Sequence, residues 1–471
     1  MIHCVLYDQC KIEHEDKTDT VSFSFPLLSP PLSLSLYPPA AAMAALSEPA
    51  AATPRRTREA VDWASANGLM VRSSRSSSSA LSDLFDHAPF TLHPTPYPSA
   101  LYARACALAA PFGLLVDRCA RDAAWLRGTL AAAAEADPFV AKQMEVFEAV
   151  EREGGPTQRA YLGIHRSDYM LHQPDGAAAP EGLLQVELNT IAASFGCLST
   201  QVSRMHRYLA GFESGKGKSM GTMPGHDTTR NLAAGIAAAH AHYVGDTAAS
   251  RNGGAPLAVL FVVQDGETNS VDQRMLEYAV VDAINNDIGT DGKQEKKKEK
   301  KKEKKKEKEE EEEEEEAAVV RVIRRSLTAL ADKNVCSHAR TTHESAAESP
   351  RRALIVDGHE ISVVYFRAGY TPRDYPSQAE WDARLFVERT HAIKCPSIAY
   401  QLVGAKKAQQ QLAAEGELER FLGADEGLAQ VRQSFAGLYE VDDASVAMVL
   451  ACGGKGFVMK PQREGGGNNI Y

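Results

Sequence analysis

Five short stretches of the sequence gather residue types that handle charged groups. The last is MKPQREGGGNNIY, Met459 to Tyr471. Its three glycines, Gly465 to Gly467, have no side chains to block close approach, so their N–H groups can line up on phosphate oxygens. Lys460 supplies an ammonium that offsets phosphate charge. Glu464 makes sense beside phosphates when a cation lies between, and Mg²⁺ favours one or two carboxylates plus phosphates. A bare linker would also explain three glycines, but linkers rarely concentrate an acid, two bases and two asparagines. Neither a Walker loop nor a G-x-G-x-x-G fingerprint is present.

The other four stretches lie upstream. In QVELNTIAASFGCL, Gln185 to Leu198, alternate strand residues share a face, so Glu187 and Asn189 project together. Two oxygen donors aimed at one point suit a hard cation; a hydrogen-bonded core pair is the equal alternative. In YLGIHRSDYM, Arg166 offers the planar fork that carboxylates take, and a structural salt bridge to Asp168 is the competing role. In VVYFRAGYTPRDY, Arg367 ends an apolar strand with Tyr370 three residues on, a strand end where α/β sheets place ligand contacts. In GAKKAQQQL, Lys406 and Lys407 open a helix, where the dipole disfavours cations unless an anion is close.

Strands and helices must alternate to position these groups. APLAVLFVVQ, Ala255 to Gln264, is a near-continuous apolar run that suits a strand buried on both faces. ALIVDGHEISVVYF, Ala353 to Phe366, is two β-rich runs joined at Asp357-Gly358, a strong hairpin signal. Further strands are expected over Ala160 to Ile164, Leu183 to Leu188 and Phe457 to Lys460. Helices are expected from Arg56 through TREAVDWASANGLMV, across Leu101 to Val150 in several pieces, and over Thr200 to Phe212. The pattern predicts an α/β or α+β chain.

The composition narrows the functional classes. The 471 residues carry a net charge of −10, which gives the whole chain no electrostatic reason to bind nucleic acid or an anionic membrane. No stretch reads as ~18 consecutive apolar residues. The eight cysteines are scattered without a C-x-x-C pair, so free thiols in a reducing compartment are expected. Residues 1–54 are rich in Ser, Pro and Ala and read as a disordered extension that matches neither a secretory signal nor a transit peptide clearly, a targeting peptide and an inaccurate upstream start being equal readings. Met43 reads equally well as the start. Lys293 to Glu316 holds 11 lysines and 12 glutamates, and reads as a solvated insertion in a surface loop.

Taken together, RSDYM, VELNTIAASFG, VVYFRAGYTPRDY, ERTHAIKCPSIAYQLVGAKKAQQ and FVMKPQREGGGNN resemble the eukaryotic-type glutathione synthetase family of the ATP-grasp superfamily. The resemblance runs from about Arg56 to Tyr471 and is interrupted by the Lys/Glu tract. It implies an ATP-grasp-type α/β fold with an embedded substrate-binding domain. The divisions would be a first ATP-grasp-associated part at 55–255, a substrate domain at 256–404 enclosing the insertion 293–316, and a second ATP-grasp part at 405–471. It implies ATP- and Mg²⁺-dependent ligation of glycine to γ-glutamylcysteine in a cytoplasmic homodimer, with a plastid as the alternative compartment. The cysteinyl carboxylate would take the γ-phosphoryl group, and the glycine amine would attack the acyl phosphate and release phosphate.

By the same resemblance, Glu187, Asn189 and Glu464 are Mg²⁺ ligands. Glu187, Lys406, Lys460, Gly465, Gly466, Gly467, Asn469 and Tyr471 face ATP. Arg166, Ser194, Glu267, Asn269, Gln273, Arg367 and Tyr370 contact the dipeptide, with Arg166, Lys406 and Lys460 at the chemistry. Ala192 stands where the family often has serine. The family continues beyond the glycine loop, so the sequence predicts an incomplete C-terminal part and unpaired backbone around that loop. A ligase using β-alanine or serine, or a catalytically inactive fragment, is the alternative expectation.

Overall fold

The computed structural model describes residues 21–22, 53–73, 84–174, 176–213, 223–225, 227–247, 255–292, 319–341, 351–454 and 457. Lys460, Glu464, Gly465 to Gly467, Asn469 and Tyr471, the expected strand from Val458 onward and the Lys/Glu tract lie outside them.

Two sheets position the candidate residues. The first is an antiparallel hairpin of β1 (Arg166–His172) and β2 (Gly182–Asn189), in which Arg166 faces Asn189 and Asp168 faces Glu187. The second sheet is mixed. Its parallel part comprises β3 (Leu257–Val262), β4 (Arg321–Arg325), β7 (His359–Phe366) and β8 (Ile393–Cys395), with β3 between β4 and β7. Its antiparallel part is β5 (Cys336–Thr341) and β6 (Arg351–Val356), and β6 turns into β7.

The apolar run in β3 is buried on both faces, as its composition predicts. Ala258, Leu260 and Val262 enter one core with the helices Ala109–Arg121, Pro138–Arg152, Gln378–Glu388 and Ile398–Val403. Val259 and Phe261 enter another with the helices Thr228–Thr247 and Ser270–Gly292. Strand side chains alternate between faces, so one strand feeds both cores only if both faces are covered. In β7 the alternation breaks at a register shift between Ile361 and Val363, after which Val363 and Tyr365 join the second core and Val364 and Phe366 the first.

The hairpin signal is realised at its expected residues. Asp357 and Gly358 take φ of 48° and 76°, the positive angles that a tight two-residue turn requires. The Leu101 to Val150 region divides into four helices, Ser99–Ala107, Ala109–Arg121, Ala123–Ala136 and Pro138–Arg152. Asp122 and Asp137 start the last two by accepting from the Trp125 and Phe139 N–H groups at 2.8 and 2.9 Å.

Several expectations need correction. The first helix is Thr53–Ala66, starting two residues inside the segment expected to be disordered; it stops before Gly68, and Met70–Arg72 is a strand. Val21–Ser22, in the same N-terminal segment, pairs parallel with Ala160–Tyr161, which is all that forms of the strand expected to reach Ile164. The helix expected from Thr200 begins at Gly196. Ser99–Arg121 is long and apolar enough to cross a membrane by length and composition. Two successive helices cover that span, and Leu108, Phe112, Leu115 and Val116 bury into the first core.

Candidate active site

The end of the β1–β2 hairpin carries a compact ionic cluster. Because Glu187 and Asn189 are two apart on β2, they share a face, and the cross-strand register brings Arg166 and Asp168 beside them. Lys406 reaches in from the first position of the helix Lys406–Ala413, its Nζ donating to Glu187 Oε2 at 2.7 Å. Asn189 Nδ2 donates to Glu187 Oε1 at 3.2 Å and to the Arg166 carbonyl at 3.3 Å. Arg166 forms a two-point pair with Asp168 at 2.8 and 3.0 Å, and its Nη2 lies 3.7 Å from Glu187.

Of the alternatives the sequence offered here, the structure shows the hydrogen-bonded pair of Glu187 with Asn189 and the salt bridge of Arg166 to Asp168. Burial pushes the Glu187 carboxyl upward, but Lys406, the Asn189 amide and Arg166 outweigh it and hold the group below the ordinary glutamate value. The anion expected to justify a lysine at a helix start is Glu187 itself. Lys407, one residue on, pairs instead with Glu440 at 2.5 Å.

A second group of candidates surrounds the C-terminal ends of β3 and β7. Glu267 Oε1 accepts from the Asn269 backbone N–H at 2.8 Å, and Gln273 Nε2 donates to Glu267 Oε2 at 3.3 Å. Asn269 Oδ1 is buried and accepts no hydrogen bond among the described residues. Such an orphaned acceptor costs free energy unless a donor arrives, which suits a ligand N–H or ammonium. Tyr370 is half-buried nearby; burial, then the negative charges of Glu267 and Asp374, push its phenol up. Arg367 is buried at the end of β7, and its Nη1 donates to the carbonyls of Ala193 and, at 3.2 Å, Ala192. Those carbonyls belong to the loop that carries Ser194, in which Ala192 and Phe195 hold φ of 50° and 69°.

Sequence reasoning missed four groups that shape these loops. Asp272 accepts three backbone N–H bonds from Phe195, Cys197 and Leu198. Asp374 Oδ2 accepts from the Gly369, Tyr370 and Thr371 N–H groups at 3.0, 3.1 and 3.0 Å. Gln264 Nε2 donates to Asp374 Oδ1 at 2.7 Å. Arg324 donates to Gln273 Oε1 at 2.7 Å and to Glu277 at 3.1 Å. The one sequence signal was Asp272, an acid in the first turn of a helix.

The chemistry of the first cluster fits Mg²⁺ and a nucleotide. One carboxylate and one amide are the share of ligands that Mg²⁺ takes from protein when phosphates and water supply the rest. Among the described residues no three His, Cys, Asp or Glu side chains converge, and Glu464 lies outside them. Lys406 and Arg166 carry the positive charge of this cluster, paired with Glu187 and Asp168.

The chain is similar to known proteins over most of its length. The family described as eukaryotic glutathione synthase, ATP binding domain, matches residues 52–471. Glutathione synthetase of Homo sapiens is 39% identical over 422 residues, covering 88% of this chain and 75% of that protein. That of Dictyostelium discoideum is 36% identical over 424 residues, covering 88% and 77%. The chloroplastic glutathione synthetase of Arabidopsis thaliana is 34% identical over 416 residues, covering 88% and 66%. Among solved structures, a glutathione synthetase-like effector of Globodera pallida in its apo form matches with a TM-score of 0.57 at 19% identity, covering 83% of this chain and 71% of that one, a likeness of fold. The α/β architecture is that of the ATP-grasp type, and the chain belongs to the eukaryotic glutathione synthetase family.

Proposed function

We propose that this chain takes part in the ATP- and Mg²⁺-dependent ligation of glycine to γ-glutamylcysteine, with the two residue groups divided between the two substrates. The observation that carries the proposal is Glu187, a buried carboxylate kept ionised by Lys406 at 2.7 Å and flanked by Asn189. Glu187 and Asn189, joined by Glu464, would hold Mg²⁺, which offsets triphosphate charge when bound. Lys406, Lys460, the loop Gly465–Gly467, Asn469 and Tyr471 would face ATP. A lysine already seated on a carboxylate can exchange it for phosphate at little cost in charge balance.

The second group is proposed to hold the dipeptide. Glu267 and the unfilled acceptor of Asn269 suit its ammonium and amide donors. Gln273, Ser194 and Tyr370 offer hydrogen bonds, and Arg367 and Arg166 offer cations for its carboxylates. Arg166 belongs to the ionic cluster through Asp168 and Glu187, so it is the residue of the dipeptide set that stands beside the nucleotide set. That placement suits a carboxylate positioned for phosphoryl transfer. The assignment of 256–404 as the substrate unit, the homodimer and a cytoplasmic location belong to the same proposal. Buried Cys119, Cys197 and Cys336 are free thiols, which supports a reducing compartment.

The test is calorimetric titration of ATP into the chain with and without Mg²⁺, repeated in Glu187→Gln. Binding that strengthens with Mg²⁺ in the wild type and loses that response in the variant is expected. An equal Mg²⁺ response in both would remove Glu187 from the metal site and leave the division of roles without support.

A further inference from the structure

We infer that Asp272, which no substrate role covers, is a positioning residue for the dipeptide: it fixes the shape of the loop carrying Ser194 and steadies Arg367. The inference rests on the dipeptide site proposed above.

Asp272 is the third residue of the helix Ser270–Gly292 and is buried. Its Oδ2 accepts the Phe195 N–H at 2.9 Å, and its Oδ1 accepts the Cys197 and Leu198 N–H groups at 3.0 and 3.1 Å. Cys197 and Leu198 lie in the first turn of the helix Gly196–Glu213, where N–H groups have no partner within their own helix. Caps usually come from the residue just before the helix. Here the cap comes from another helix, across 75 residues of sequence.

The opposite side of the same loop is held by Arg367, which donates to the Ala192 and Ala193 carbonyls. Tyr365 Oη adds a longer bond to the Ala193 carbonyl at 3.4 Å. The carbonyls before Ser194 and the N–H groups after it are thus clasped by a cation and an anion. The clasps face each other, with Arg367 Nη2 at 3.8 Å from Asp272 Oδ2.

The clasp maintains a conformation that the backbone resists. Phe195 sits at φ 69° with its ring exposed, and a bulky residue in the left-handed region costs about 1–3 kcal/mol unless the surroundings enforce it. With the ring exposed, the backbone bond to Asp272 carries the enforcement. An unclasped loop would relax, turn the Ser194 hydroxyl away and leave Arg367 without its opposing charge.

A cap that served stability alone would predict something different, and the two ideas separate by ligand. Asp272→Asn keeps the shape but turns an NH₂ toward backbone N–H donors and removes the charge facing Arg367. Calorimetry should show γ-glutamylcysteine affinity falling about tenfold to a hundredfold, with ATP affinity held within about twofold because, among the described residues, Glu187, Asn189 and Lys406 share no hydrogen-bond partner with Asp272. Equal losses for both ligands, or a lowered unfolding temperature with unchanged dipeptide affinity, would overturn the inference. Wild-type chain that binds no dipeptide would defeat the site proposal itself, a distinct result. If the variant does not fold, hydrogen exchange in the wild type decides. Added γ-glutamylcysteine, and not ATP, should slow the Phe195, Cys197 and Leu198 amides; unchanged exchange overturns the inference.

Discussion

Replacing Lys406 with methionine would test the ionic cluster in a way that separates charge from packing. Methionine keeps most of the stem and removes the ammonium. Glu187 would remain buried, keeping Asn189 Nδ2 at 3.2 Å and Arg166 Nη2 at 3.7 Å. Removing one member of a fully buried pair costs about 3–5 kcal/mol. With those two partners retained, and the Lys406 side chain 16% exposed, we expect a loss of about 2 kcal/mol near neutral pH.

The pH dependence carries the sign. In the wild type the folded-state pKa of Glu187 lies below its ordinary value of 4.5, so the pair's contribution is present above that value and fades as pH falls through the folded pKa. In Lys406→Met the opposing ammonium is gone and burial, which raises the pKa, gains weight. The variant's deficit should then shrink as the carboxyl takes a proton. Urea unfolding at about pH 7 and about pH 4 would measure it. A deficit of the same size at both would mean that Glu187 does not carry the coupling, and the electrostatic reading of the cluster would fail.

Three further outcomes follow from the geometry. Gly369→Ala should destabilise the chain by about 1–3 kcal/mol, because Gly369 holds φ 96° and an added Cβ would stand 3.0 Å from Tyr375 Oη; an unchanged urea midpoint would contradict this. Asp374→Ala should free the Gly369, Tyr370 and Thr371 N–H groups and speed their hydrogen exchange, while the amides of β3 keep their rates. Cys197 is buried with its thiol pushed up to about 12, by burial first and then by Asp272; alkylation near neutral pH, mapped by mass spectrometry, should reach exposed Cys452 first. Comparable labelling of Cys197 in the folded chain would overturn that order.

What the sequence disclosed, and what it hid, divides along a physical line. Local pattern was legible: the two-sided burial of β3, the turn at Asp357-Gly358 and the shared face of Glu187 and Asn189 follow from period-two alternation and turn chemistry within a few residues. The five motifs also disclosed the family, because the family match and curated relatives carry the same reading over most of the chain. Long-range capping was hidden. Asp272 meets the Gly196–Glu213 helix from 75 residues away, and nothing in the sequence around Gly196 points to it. Periodicity alone therefore puts the helix start at Thr200. Arg324 was hidden for a similar reason. It lies in an apolar-and-basic strand, RVIRR, and only the parallel pairing of β4 with β3 brings it to Gln273 and Glu277.

The central claim is that this chain supports the family's ligation chemistry. The most direct measurement is ADP release by the purified chain with ATP, Mg²⁺ and γ-glutamylcysteine, with and without glycine. The account predicts glycine-dependent release that is lost in Lys406→Met. Release that ignores glycine, or no release from a folded chain that binds ATP, would contradict it.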